Sequence, residues 1–379
     1  MKSPRNLSRT AGLVATCAAL ATALAFASPT AAQSAQPSFE TFTPGEKANS
    51  SSIDYDVWNE AMKKIVISMG PSLRQTAGRP PAGFGTRRQY GHTSRYRLEG
   101  SRVTFSFLNK EIIANLADYR QNLQAIGSQV DLQSLSRNEQ LAYWINLHNV
   151  AMVEKIAQEW PVRQPREMEI DGVPLDDAKF ITVEGVALSP RDIRENIVYA
   201  NWSDPRVIYG FWRGEIGGPS IQREAFTGDN VSNLLDRSAR EFVNSLRGTQ
   251  KLGGTLQVSS LYEEVAPFYF DDFENDVRAH IAQYANQDVA KIIAETGKTE
   301  AVIREYDIAD LAGGVREPSY SNITQAGSQQ SFRIPRAMGA LLAQRQEKFR
   351  RIIKEGRTGT VTFSPLELPD DEEDKNEIQ

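Results

Sequence analysis

The sequence is poor in two residue types that most often carry chemistry: in 379 residues it holds one cysteine, Cys17, and three histidines, His92, His148 and His280. Cys17 falls inside residues 1–32, which read as a secretory signal peptide. There Lys2, Arg5 and Arg9 precede an apolar run over 11–26 that ends in small residues, with cleavage expected after Ala27 or Ala32. The trimmed chain would have no thiol, which excludes disulfides, thiolate metal sites and a cysteine nucleophile together. The apolar run is too short, and too quickly followed by polar sequence, to make a stable membrane span. The expected location is periplasmic or secreted.

The histidines are as uninformative for metals as they are few. No two share metal-ligand spacing, and Asp271, Asp272, Glu274 and Asp276 lack the loop pattern of a calcium site, reading instead as a solvated helix start. No serine sits in a G-x-S-x-G elbow. We therefore expect no metal and no cofactor. A basic excess is also lacking: loss of the three basic residues of the signal moves the net charge from −5 to about −8, which argues against nucleic acid and anionic membrane as partners. No repeat occurs at solenoid spacing.

What is present is an ordinary hydrophobic fraction, 40 %, over a mature chain of roughly 340 residues, enough for a buried core. Residues 33–50 read as a disordered tether, 51–130 as a helical lead-in with an arginine-rich insertion, 131–312 as the core domain, 313–368 as a C-terminal extension and 369–379 as a disordered acidic tail. In the lead-in, Val57, Ala61, Ile65 and Met69 recur every fourth residue and predict a helix over 54–69. Residues 74–102 then carry seven arginines against one acid, Glu99, with Phe84, Tyr90 and Tyr96 interleaved. That composition fits either a solvated insertion or an anion-binding arm. A short strand over 103–107 and a helix over 110–126 follow.

The stretch LAYWINLHNV, residues 141–150, sets two asparagines and a histidine in a helix that is apolar nearly all round and so must be buried. Ser136 and Glu139 fit a capping box at its start, and Pro161 ends it at Trp160. Further on, residues 180–188 predict a hairpin turning at Glu184-Gly185, and Ser189-Pro190 open a helix through about Tyr199. Residues 207–212 read as an apolar strand running into a glycine-rich turn at 213–219, and the apolar spacing from Val231 to Leu246 predicts another helix. A short strand at 256–258 and a second capping box, Ser260 with Glu263, lead into a pair of helices reaching about Ala294. The fold class expected is α+β, mostly helical with a small mixed or antiparallel sheet.

Several of these segments, in order, resemble the family called domain of unknown function 547 (DUF547). W-I-N-L-H-N at 144–149 is similar to its W-I-N-L-Y-N signature, and Trp160-Pro161-Val162 to the Y-P-V that follows. G-V-A-L-S-P-R-D-I at 185–193, Asp204-Pro205-Arg206, Glu224-Ala225-Phe226, Val258-Ser259-Ser260-Leu261-Tyr262 and Asp272-Phe273 resemble the later motifs. The resemblance implies an exported module without an assigned activity. After D-P-R, bacterial members usually read I-H-F-A-L-N-C-A-S-x-x-C-P-P, whereas this chain reads V-I-Y-G-F-W-R-G-E-I-G-G-P-S. Ile208 thus stands where the histidine falls, and Arg213 and Gly218 where the cysteines fall.

Asn146 and Asn149 lie on neighbouring positions of one helix surface, and buried carboxamides need partners. They either pin the backbone of an irregular loop, for which residues 213–220 are the expected partner, or face a ligand. The glycines at 213–219 let backbone amides converge, and Arg206 and Arg213 supply charge for a carboxylate or phosphate. Asn146, Asn149, Arg206 and Arg213 are accordingly the candidate ligand-binding residues, in a binding or interaction module whose partner is an envelope component or a small anionic ligand. The competing reading is a hydrolase or transferase acting on peptide or envelope polymer, for which His148 and His280 are the candidate bases.

Overall fold

A computed structural model describes residues 39–45, 49, 51–78, 90–324 and 331–356. The signal, the acidic tail and residues 79–89 of the arginine-rich segment lie outside these. All described residues belong to the unit that runs from Pro37 to Gln379.

Helix α1 spans Asp56–Ile65, and strand β1, Val66–Ser68, follows directly. The expected helix over 54–69 is thus too long: the β-branched pair Val66-Ile67 leaves the helix to pair antiparallel with β2, Ser101–Val103, Val66 opposite Val103. The strand expected over 103–107 gives way to a 3-10 turn at Phe105–Phe107. Helix α2, Lys110–Ile126, forms where the pattern places it, and the Asn109 side chain caps it by accepting from the Ile112 amide at 2.9 Å.

Helix α3, Arg137–Glu159, is the centre of the unit and is buried over almost its whole length. Ser136 caps it by accepting from the Glu139 amide at 3.2 Å. Glu139 does not close the expected box; its carboxylate instead accepts from the amides of Ile53 and Gly228, both at 2.9 Å. Helices α2 and α3 pack together, joined by the Arg120–Glu154 ion pair and by the Tyr143 hydroxyl donating to the Leu123 carbonyl at 3.1 Å. Phe39–Phe42, in the segment read as a tether, makes one 3-10 turn, and Phe42 meets Trp144 edge-on at 5.0 Å between ring centroids.

Two small hairpins follow: β3 (Glu169–Ile170) with β4 (Val173–Pro174), and β5 (Ile181–Val183) with β6 (Val186–Leu188). Glu184 and Gly185 both take positive φ, as the tight turn between β5 and β6 requires. The helix opened by Ser189 is a π-helix over Asp192–Tyr199. The apolar run 207–212 is not a strand. Pro205–Gly210 is a 3-10 helix capped by Asp204, and an all-buried run carries no period that separates the two.

Helix α4, Val231–Val243, precedes a three-stranded sheet in the order β7 (Thr249–Leu252), β8 (Thr255–Ser259), β9 (Lys298–Ile303); β7–β8 is antiparallel and β8–β9 parallel. Between β8 and β9 come three helices rather than a pair: α5 (Ser260–Tyr269), α6 (Phe273–Tyr284) and α7 (Gln287–Ala294). The cap of α5 is Ser259, one residue before the expected Ser260. The class is α+β, as expected. The last elements, the pair β10 (Tyr320–Thr324) and β11 (Ser331–Pro335) and helix α8 (Arg336–Lys354), build a second small core in which Met338 and Leu341 meet Ile67, Met69 and Leu311. Lys348 completes it by donating to the carbonyls of Met69 at 2.8 Å, Gly70 at 3.3 Å and Leu98.

Candidate functional site

Both asparagines of the central helix bind backbone through donor and acceptor alike. Asn146 donates to the Phe226 carbonyl at 2.7 Å and accepts from the Phe226 amide at 3.1 Å. Asn149 donates to the Gly210 carbonyl at 2.9 Å and accepts from the Trp212 amide at 3.0 Å. Both pin irregular backbone, but the partners are residues 210–212 and 226, on either side of the expected 213–220. The glycine turn itself is held from elsewhere: the Ile216 amide donates to Asp307, that of Gly217 to Glu305, and the Ala309 amide returns a bond to Gly214. The amides of Ile216 and Gly217 are thus spent within the fold and are not free to converge on an anion.

His148 is 0 % exposed. Arginine only donates, so the 3.0 Å contact from Arg194 Nη1 fixes His148 Nε2 as the acceptor; Nδ1 then carries the proton and donates to Asn149 Oδ1 at 3.1 Å. Burial, followed by the Arg194 charge, pushes its pKa down to about 3, so the ring is neutral. Arg194 in turn grips Asp176 with two bonds, 2.8 and 2.6 Å. Burial alone would raise the Asp176 carboxyl, but the charge and hydrogen bonds of Arg194 outweigh it and hold the group below the usual carboxylate range.

Asp176 opens onto a cleft of about 460 Å³ that is walled by Met152 of α3 together with Pro165, Pro174 and Leu175. Its polar lining comes from five places in the chain. Arg166 sits on a 3-10 turn, Asp176 and Asp177 lie in the turn after β4, Arg191 and Glu195 flank the first turn of the π-helix, Arg213 and Glu215 belong to the glycine turn, and Glu264 is on α5. Arg166 binds Glu215 through two bonds, 2.5 and 2.8 Å, and lies over the Tyr306 ring. Burial raises the Glu215 carboxyl above its ordinary value in spite of that pairing. Arg213 donates to Glu264 at 2.7 Å. Burial would lower the Arg213 pKa, yet Glu264, Glu215 and Asp176 together raise it, so the guanidinium stays charged.

Residues 132–243 of this chain match a family model described as "Protein of unknown function, DUF547". The chain carries a DUF547 domain. The match covers α3, the π-helix, the glycine turn and α4, and so ends well before residue 312, where the resemblance places the end of the core domain. Within the DUF547 domain lie Arg166, Asp176, Asp177, Arg191, Glu195, Arg213 and Glu215 of the cleft; Glu264 joins them from outside it. Arg213, at the position of the first family cysteine, lines the cleft, and Ile208 and Arg213 both border a smaller hollow shared with Glu195 and Glu264. No curated protein and no solved structure matches the chain.

Of the four candidate ligand residues, the DUF547 domain brings only Arg213 to the cleft. Arg206 folds back on Asp204, its own cap, at 2.9 and 3.1 Å. His280 is buried among Tyr209, Tyr262, Phe270 and Tyr284, with Nε2 2.8 Å from the Tyr209 hydroxyl, and burial pushes its pKa down to about 4. Among the described residues no carboxylate is hydrogen-bonded to either His148 or His280. Of the described arginines of 74–102, Arg102 is buried and donates to the carbonyls of Tyr96, Arg97, Glu99 and Ser101, Arg74 reaches those of Asn244, Ser245 and Thr249, and Arg95 is exposed and donates to Gln250 at 3.1 Å. Arg79, Arg87 and Arg88 lie outside the described residues. Sequence reasoning missed Arg166, Asp176, Arg191, Arg194 and Glu264, each of which looks like an ordinary surface charge until the fold assembles them.

No helix among the described residues is long and apolar enough to cross a membrane.

Proposed function

We propose that this protein is an exported binding module whose cleft holds a ligand bearing a carboxylate or phosphate, with Arg213 as the anchoring residue. One observation carries the reading. The Arg213 side chain is 19 % exposed at the cleft, and among the described residues its one hydrogen-bond partner is Glu264 and its remaining donors have no acceptor. A guanidinium with unused donors in a concave, partly apolar site is the usual recognition element for an oxyanion. The volume falls in the range of about 300–1,000 Å³ typical of small-molecule sites.

The hydrolase or transferase reading has less support. It needs an imidazole oriented by a carboxylate and open to a substrate, and the His148 ring is sealed between Asn149 and Arg194. Calorimetric titration of the full chain with succinate, N-acetyl-tri-alanine and inorganic phosphate tests the proposal. At least one is expected to bind, and Arg213→Met is expected to abolish that binding while leaving the melting transition in place. Silence with all three probes, or binding that survives Arg213→Met, would overturn it.

A further inference from the structure

The ion pairs around the cleft divide into two groups of unequal charge. On one side Arg166 is matched by Glu215 and Arg213 by Glu264, so that group is neutral and keeps the unused donors of Arg213. On the other side three carboxylates, Asp176, Asp177 and Glu195, share two guanidinia. Arg191 bonds Asp177 at 2.5 Å and Glu195 at 3.2 Å and stands 3.3 Å from Asp176, while Arg194 spends two bonds on Asp176 and its third on His148. One negative charge is left over on this side. It resides among groups in contact with water, since the side chains of Asp177 and Glu195 are 44 % and 32 % exposed.

Resting on the reading that Arg213 anchors an oxyanion, we infer that the ligand is dipolar: a short peptide or amino acid whose carboxylate meets Arg213 and whose ammonium meets Asp177 and Glu195. A purely anionic ligand would complete the Arg213 shell but lie against the surplus carboxylate, where like charges repel. A purely cationic ligand would leave the Arg213 donors unused. A ligand with both charges satisfies both sides, and the apolar wall of Met152, Pro165, Pro174 and Leu175 leaves room for small uncharged side chains between them.

The experiment is calorimetric titration of the full chain with tri-alanine, N-acetyl-tri-alanine and tri-alanine amide. Tri-alanine is expected to bind, and blocking either end should weaken it by about tenfold or more, the equivalent of one charge-assisted hydrogen bond. In the Asp177→Asn, Glu195→Gln double variant, the acetylated form should bind as well as the free peptide. If it does so in the unaltered protein, the dipolar inference falls and the oxyanion reading stands. If neither peptide with a free carboxylate binds, the dipolar inference falls, and the oxyanion reading falls with it only if succinate and phosphate are silent too. Arg213→Lys, which keeps the charge, guards against loss of fold in Arg213→Met; retention of full tri-alanine affinity by both variants would also overturn the inference.

Discussion

Arg194 and His148 form a cation–imidazole pair in which the guanidinium nitrogen approaches Nε2 at 3.0 Å and the imidazole accepts. The same guanidinium holds Asp176 at the floor of the cleft, so one side chain links a buried helix to the site. Arg194→Met should therefore leave an acceptor without its donor and a carboxylate without its bidentate partner. Because the Asp176 side chain keeps 24 % exposure, the loss should sit near the lower end of the about 3–5 kcal/mol seen when a buried pair is broken. Urea unfolding measures it, and nitrogen NMR of His148 should show the Nδ1–H tautomer lost from the variant.

Asn146→Leu and Asn149→Leu should each lower stability by about 1–3 kcal/mol for every backbone group left unpaired. Asn149 serves both Gly210 and Trp212 and also accepts the hydrogen bond of His148 Nδ1, so its replacement should cost more than that of Asn146, whose backbone partner is Phe226. Thermal melts of the two variants against the parent decide the order.

Stability should fall as the solution is acidified from pH 6.5 toward pH 4. Burial holds the pKa values of His92, His148 and His280 down to about 3, 3 and 4 from 6.5, so in this window the unfolded chain binds protons that the folded chain refuses. Each ring contributes on the order of 1.4 kcal/mol per pH unit. Asp310 works the other way between its raised value of about 6 and its ordinary 3.8, because burial keeps it protonated in the folded state, and it offsets roughly one of the three rings. A melting temperature that is flat or rises between pH 6.5 and 4 would contradict this balance.

Gly217→Ala should damage the turn that carries Arg213 and Glu215, because an added Cβ would stand 2.3 Å from the Glu305 carbonyl oxygen, and backbone cannot step aside cheaply. A loss of about 1–3 kcal/mol is expected for such overpacking, together with weaker ligand binding. Gly218→Ala, whose nearest neighbour would be the Glu215 carbonyl oxygen at an ordinary 3.7 Å, should be tolerated and serves as the control.

The parts of the fold that the sequence made legible are those written in local chemistry. Helix α2, the limits of α3 and the β5–β6 turn follow from a cap, a proline and a Glu-Gly pair, each acting within a few residues. Val66-Ile67 and the run 207–212 misled because their conformation is set by partners distant in sequence, Val103 and Arg102 for the first and Asn149 for the second. For the site, the burial of the α3 asparagines and their need for partners were legible, but not whether backbone or a ligand meets them, nor which backbone. The cleft was hidden: Arg166, Asp176, Arg191 and Glu264 are single charges in unremarkable segments, and only the fold turns them toward one space.

The ammonium of Lys348 ends among carbonyls of the first strand and its neighbours, and its bond to Met69 closes a loop 279 residues long. Closing so long a loop carries a larger entropic cost than local packing, so this second core depends on contacts distant in sequence. Without α8, Ile67 and Met69 would lose Met338 and Leu341 from their cover and three carbonyls would lose their cation, so the shelter of that early segment is supplied from far along the chain.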